Sequence, residues 1–190
     1  MRNISALMLA LVASVAMESA SAGPIICPTI GADTNCGVII TVNPNLSLSI
    51  TKTGQGPYDS SDDTLVGILN NSTGTINSVN LSGSADIFNF EGDGISGGFY
   101  GAPGNSQDNT GYGGPATYFT NISSNFFNGT ANFIGGLASG QSTYFSLEND
   151  LTQASNPLGG TVGGNTVPEP ATLALLGLGL TGMAYTRRRK

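Results

Sequence analysis

Carboxylates are the side chains of this chain with the clearest capacity for chemistry. The 190 residues include twelve Asp and Glu but no histidine and no tryptophan. Catalytic triads and dyads that need histidine, and zinc sites that use it, are therefore excluded. Two carboxylates could act together in glycoside hydrolysis, and the residues available for such a pair are Asp59, Asp62, Asp63, Glu91, Asp93 and Glu148. Because any acidic surface offers such residues, we expect that the protein is not an enzyme.

Calcium binding is a sharper hypothesis for the same residues. From Asn89 to Gly94 the sequence places oxygen ligands at alternate positions and glycine sixth, as an EF-hand loop does, but the twelfth position is Tyr100 where a bidentate glutamate is needed. A looser, weak calcium site is the remaining expectation, and its candidate ligands are Asp59, Asp62, Asp63, Glu91 and Asp93. The alternative is that these residues serve tight turns, which favour Asp and Gly. No other cofactor is expected.

The charge of the central part of the chain limits its partners. Of the six basic residues, only Lys52 lies between residues 23 and 166, together with ten acidic residues. This part of the chain therefore carries a net charge of about −9. Such a surface repels phosphate backbones, so nucleic acid is excluded as a partner.

The N-terminal part of the chain carries features of an exported protein. Residues 1–22 have a basic start, an apolar stretch and the small residues Ala20 and Ala22 before Gly23, which predicts a secretory signal peptide cleaved at that point. Export places Cys27 and Cys36 in an oxidising compartment, and we expect them to form one disulfide.

Short strands are the only regular elements that the sequence predicts between residues 23 and 150. Apolar and β-branched residues recur at strand period in eight segments: 37–42, 46–51, 64–69, 75–81, 85–90, 116–122, 129–134 and 142–147. A glycine-rich loop over 91–115 separates the fifth from the sixth. Residues 23–150 are therefore expected to form an all-β, immunoglobulin-like β-sandwich, and residues 151–166 a Gly/Asn/Thr linker. A disordered polypeptide is the alternative.

The last 24 residues, 167–190, contain three parts in a fixed order. Pro168, Glu169 and Pro170 form a stiff, extended approach. An uncharged apolar segment over 171–185 follows, and the basic cluster Arg187, Arg188, Arg189 and Lys190 ends the chain. As a helix, fifteen residues extend about 22 Å, which is short of the ~30 Å hydrocarbon core, so a marginal transmembrane helix is expected, with its basic end on the cytoplasmic side.

These three parts together resemble the PEP-CTERM sorting signal of exported proteins from Gram-negative bacteria. The resemblance implies that an exosortase, an intramembrane cysteine transpeptidase, recognises Pro168 to Pro170, cuts nearby and releases or transfers the body. Residues 56–148 also resemble a recurrent body type attached to such tails, which implies no particular activity.

The function expected from the sequence is sorting and surface display. The chain would pass the secretion translocon and signal peptidase, remain tethered to the inner membrane, and then reach the cell envelope, cell surface or extracellular matrix. There it would be a structural or adhesive component associated with exopolysaccharide in a biofilm. The alternatives are a small calcium- or glycan-binding module and a permanently membrane-anchored domain.

Overall fold

The computed structural model describes residues 25–95 and 104–166. The predicted signal peptide with its cleavage site at Ala20, Ala22 and Gly23 lies outside the described residues, as does the tail from residue 167 onward. Within the described ranges no helix is long and apolar enough to cross a membrane.

The described residues form nine β-strands and no helix. In chain order these are β1 (Val38–Val42), β2 (Leu48–Lys52), β3 (Thr64–Asn70), β4 (Thr75–Gly83), β5 (Thr117–Thr120), β6 (Asn128–Leu137), β7 (Ser142–Leu147), β8 (Leu158–Val162) and β9 (Asn165–Thr166). One sheet has the order β2–β1–β3–β7, and the other has the order β5–β6–β4–β8 with β9 also paired to β4. All pairs are antiparallel except β1 with β3, which run parallel.

The two sheets enclose the main hydrophobic core. Alternate residues of β1, such as Val38 and Ile40, are fully buried, and they pack in one cluster with Val79 of β4 and Phe133 of β6. This alternation follows from the two-residue period of a strand. The all-β class is thus confirmed, and the two packed sheets are compatible with the expected immunoglobulin-like sandwich.

The first sheet is also covered on its second face. Cys27 and Cys36 form the predicted disulfide, with an S–S distance of 2.05 Å, and the loop that they close packs with Tyr58 and Leu65 in a second buried cluster. Gly67 in the middle of β3 makes this approach close, since a Cβ at that position would lie 2.4 Å from Cys36 Sγ.

Two expectations about the strands are wrong. Residues 85–90, expected as a strand, have no strand structure, because Asp86 to Asn89 form a turn in which the Asn89 N–H donates to the Asp86 carbonyl oxygen. Residues 151–166, expected as a linker, contain β8 and β9, both paired to β4. Strand β8 is rich in glycine and packs closely onto β4, where backbone hydrogen bonds hold it in place. Because it has few large side chains, its sequence does not show the alternation that predicts a strand. The sandwich therefore extends to residue 166.

Candidate functional site

A cluster of carboxylates lies where β3 begins and β7 ends. In the antiparallel register of these strands, Thr64 is opposite Leu147. Asp63 and Glu148, the next residue at that end of each strand, therefore emerge side by side, and both are buried. Pairing of two strands distant in sequence brings these acids together.

Two tyrosines form hydrogen bonds with the carboxylates of the cluster. The Tyr58 hydroxyl donates a hydrogen bond to Asp63 Oδ2 at 2.8 Å. The Tyr112 hydroxyl lies 2.6 Å from both Asp93 Oδ1 and Glu148 Oε1, and 3.3 Å from the Asp63 oxygens. Both tyrosines are fully buried, so their positions are fixed by packing.

Aromatic packing positions Tyr112. Its ring stacks on Phe90 with centroids 4.4 Å apart, and Phe90 in turn contacts Phe88 and Phe119. The carbonyl oxygen of Tyr112 accepts hydrogen bonds from Ser146 of β7, with the backbone N–H at 2.8 Å. The segment 85–90 thus contributes aromatic rings to the site although it is not a strand.

The hydrogen bonds of Tyr112 require a further positive charge or proton. A tyrosine hydroxyl carries one hydrogen, so it can donate to only one of the two carboxylate oxygens that lie at 2.6 Å. The second short contact is favourable only if a carboxyl group is protonated, or if a cation neutralises the cluster. Lys52, the one basic residue between residues 23 and 166, instead directs its Nζ to the carbonyl oxygens of Gln153 and Asn156.

Burial and mutual repulsion favour protonation in the absence of a cation. Desolvation, followed by the charges of Glu148 and Asp93, raises the pKa of Asp63, against the lowering effect of the Tyr58 hydrogen bond. Desolvation also raises the pKa of Glu148, with Asp62 adding repulsion and the hydrogen bonds from Tyr112 and the Glu91 N–H opposing it. Burial raises the pKa of Tyr112 as well, so its hydroxyl stays protonated.

The geometry fits a divalent cation. Among the described residues, Asp62, Asp63 and Glu148 each present an oxygen, and these atoms lie within 4.8 Å of one another. Hard carboxylate oxygens in this number are what calcium prefers, and other oxygens could complete six to eight ligands.

The structure brings together only some of the predicted ligands. Asp62 and Asp63 are in the cluster, and Asp93 contacts it through Tyr112. Asp59 uses its Oδ1 to accept the N–H groups of residues 61–63 at 3.0–3.2 Å, so it stabilises the turn before β3. The exposed Glu91 contributes its backbone N–H to Glu148 Oε1 at 3.0 Å.

Sequence reasoning missed the roles of Glu148, Tyr112 and Tyr58 at this cluster. Glu148 was a candidate only for a carboxylate pair, because its place beside Asp63 depends on the pairing of β3 with β7. The available sign was that each acid directly adjoins a predicted strand. Nothing local in the sequence marked the tyrosines. Of the long loop 91–115, residues 96–103 lie outside the described residues.

The disulfide loop holds one further buried acid. Asp33 is 2 % exposed, and its Oδ2 has no hydrogen-bond partner. Burial raises the pKa of Asp33 to about 6.

Comparison with known proteins identifies one end of the chain. Residues 166–190 match the family model of the PEP-CTERM protein-sorting motif. The searches of curated proteins and of solved structures found no significant match. The motif covers Pro168, Glu169, Pro170 and the basic cluster Arg187, Arg188, Arg189 and Lys190. The chain therefore carries a PEP-CTERM protein-sorting signal behind its β-sandwich body, and this signal implies an exported protein that is sorted through an exosortase.

Proposed function

We propose that this protein is a non-enzymatic structural or adhesive component of the cell surface or extracellular matrix of a Gram-negative bacterium. The observation that carries the proposal is the sorting motif at residues 166–190. On this proposal a signal peptide over residues 1–22 directs the chain through the secretion translocon and is cut by signal peptidase. The apolar segment 171–185 then tethers the precursor to the inner membrane until Pro168 to Pro170 are recognised.

The outer face of the second sheet supports a role in contact with exopolysaccharide. Strands β4, β5, β6, β8 and β9 contain no charged residue. On this face Thr130 Oγ1 donates to Asn80 Oδ1 at 2.9 Å, and Asn132 Nδ2 donates to Thr120 Oγ1, also at 2.9 Å. A shallow groove of about 630 Å³ runs beside Asn80, Thr130 and Thr161. Amide and hydroxyl groups without net charge are suited to the hydroxyl groups of a neutral glycan.

Replacing the sorting motif tests the leading proposal. A chain with Pro168, Glu169 and Pro170 all changed to alanine should accumulate in the inner-membrane fraction, whereas the unchanged chain should reach the outer fractions. Fractionation with immunoblotting measures this. A matched control changes Pro157, which lies in the body, to alanine. Identical distributions of the motif variant and the unchanged chain would contradict sorting through this motif.

A permanently anchored domain is the alternative for the mature form. Intact-mass measurement of protein from the outer fractions distinguishes the two, because a permanent anchor retains residues 171–190 and a processed form lacks them.

Calcium binding is the second candidate function, and the convergence of Asp62, Asp63 and Glu148 favours it. Calcium added to residues 23–166 should raise the unfolding temperature and give measurable heat in a calorimetric titration. Glu148→Gln should abolish both effects. Glu91→Gln makes the same chemical change at an exposed residue and should leave calcium binding within about twofold. Absence of any calcium effect on the unchanged body would eliminate this candidate.

A further inference from the structure

Most charges of the sandwich lie toward one end. Strands β1 and β3 start at this end and β7 finishes there, beside Asp63 and Glu148. All ten acidic residues between 23 and 166 lie either in the N-terminal disulfide loop or in connections that leave from this end, including the long one between β4 and β5. Lys52 ends β2 at the same end, since it pairs with Val38. We call this the acidic end.

Among the described residues, the opposite end carries no charge. It is formed by the β1–β2 connection (43–47), the β3–β4 connection (71–74) and the β6–β7 connection (138–141), and none of them contains an Asp, Glu, Lys or Arg. Their exposed residues include Asn45, Thr73 and Gln141. We call this the neutral end.

The chain leaves the sandwich at the neutral end. Strand β8 begins opposite Gly83 at the acidic end, and β9 finishes with Thr166 opposite Thr75, the first residue of β4. The polypeptide therefore emerges toward the sorting tail beside the 71–74 connection. Only four residues, 167–170, separate this point from the apolar segment that begins at residue 171.

This short connection places the neutral end against the membrane. Four residues reach at most about 14 Å when fully extended. We propose that, while the precursor is tethered, the neutral end is a contact surface for the lipid headgroups and the acidic end points away from the bilayer. The inference rests on the proposed tethering by residues 171–185.

Electrostatics favour the same orientation. Bilayers that contain anionic lipid carry a negative surface potential, which decays over a Debye length of about 8 Å at physiological ionic strength. The nine residues of β4 span about 30 Å between the two ends. At that distance the potential has fallen to about 2 % of its surface value, so the acids meet almost no repulsion. Inverting the body would bring a net charge of about −9 to the lipid surface.

Fluorescence quenching in vesicles tests the orientation. The full chain is reconstituted in vesicles of phosphatidylethanolamine and phosphatidylglycerol that carry a quencher on the lipid headgroup. One variant has a fluorophore on Thr73→Cys at the neutral end. The matched control carries it on Ser124→Cys, an exposed residue of the β5–β6 connection at the acidic end. We expect quenching at residue 73 to be at least threefold stronger than at residue 124.

The outcomes separate this inference from the proposed tethering. Flotation of the vesicles is measured first, and protein that fails to float with lipid contradicts the tethering and the inference together. Protein that floats but is quenched equally at both positions overturns the orientation alone. If residue 73 is unquenched and a photocrosslinker there captures the processing enzyme in native membranes, the neutral end is an enzyme contact and the lipid assignment is wrong.

Discussion

At the scale of single residues, Asp33 is a buried acid whose side chain lacks a full set of hydrogen-bond partners. One of its carboxylate oxygens has no hydrogen-bond partner, and its pKa is raised to about 6 from a usual value of 3.8. The folded protein therefore retains a proton that the unfolded chain has lost. The stabilising effect is complete below pH 4 and is lost as the pH rises through about 6.

Asp33→Asn should remove the part of the pH dependence that comes from Asp33, so the fall of stability with pH should become less steep. A shift of about two pKa units corresponds to about 3 kcal/mol at most. Between pH 4 and pH 7.5 the native protein should lose up to that amount of unfolding free energy through Asp33, and the variant should not. Urea unfolding at several pH values measures the free energy. Glu91→Gln, an exposed acid, is the control and should keep the native slope. An unchanged slope for Asp33→Asn would show that another group titrates.

The carboxylate cluster should respond to pH in the same direction, but only without calcium. The pKa values of Asp63 and Glu148 are raised, so stability without a cation should fall as the pH increases. Calcium competes with protons for these oxygens, and its stabilising effect should therefore be larger at pH 8 than at pH 5. Thermal unfolding with calcium and with chelator measures the difference. A calcium effect that is equal at both pH values would contradict binding at this cluster.

The residues of the carboxylate cluster are only partly predictable from the sequence. Asp62, Asp63 and Asp93 were expected ligands because acidic residues were grouped with turn residues in the sequence. Glu148 and the tyrosines enter the site through contacts between segments far apart in the chain, such as the Tyr112 hydroxyl with Asp63. No local pattern encodes such a contact.

At the scale of elements, the close approach of the disulfide loop to β3 depends on Gly67. A Cβ at this position would lie 2.4 Å from Cys36 Sγ and 2.9 Å from Ile26 Cγ2. Both neighbours are buried and one belongs to a covalent bridge, so neither can move freely.

Gly67→Ala should therefore destabilise the body by about 1–3 kcal/mol, the usual cost of overpacking. Denaturant unfolding measures the change. Gly56→Ala is the matched control, because nothing lies within 4 Å of a Cβ there, and it should be neutral or slightly stabilising. Equal effects of the two substitutions would mean that the loop does not pack on β3 as described.

Strand prediction succeeded where side chains alternate and failed where they do not. In β1, which was expected, buried residues alternate with partly exposed ones. In contrast, β8 has the sequence LGGTV, and its two glycines are typical of a linker. Gly160 is needed there because a Cβ would lie 2.3 Å from the Asn80 carbonyl oxygen of β4. The aromatic segment 85–90 produced the opposite error, since Phe88 is buried and Phe90 is partly buried without strand geometry.

At the scale of the whole molecule, the true end of the body is testable by truncation. A chain ending at residue 157 lacks β8 and β9, leaves one edge of β4 unpaired and removes the buried Leu158. Its loss of stability should approach the whole folding free energy, on the order of 5 kcal/mol or more. Thermal unfolding followed by circular dichroism measures it. A chain ending at 164 loses only the two residue pairs of β9 and should remain folded. If the chain ending at 157 unfolds like the longer ones, residues 151–166 act as a linker after all.

The position of β8 and β9 also determines when the exported body can fold. Strand β4 lies between β6 and β8, and β3 needs β7 as its neighbour, so both sheets depend on residues beyond 127. An exported chain that crosses the membrane from its N-terminus delivers these residues last, and Thr166 is followed within five residues by the apolar segment. On the proposed route through the secretion translocon, Thr166 can pair with Thr75 only after it has left the channel, with the apolar segment following directly behind it. On this proposed route, completion of the sandwich and arrest of the tail in the membrane are consecutive steps of one process.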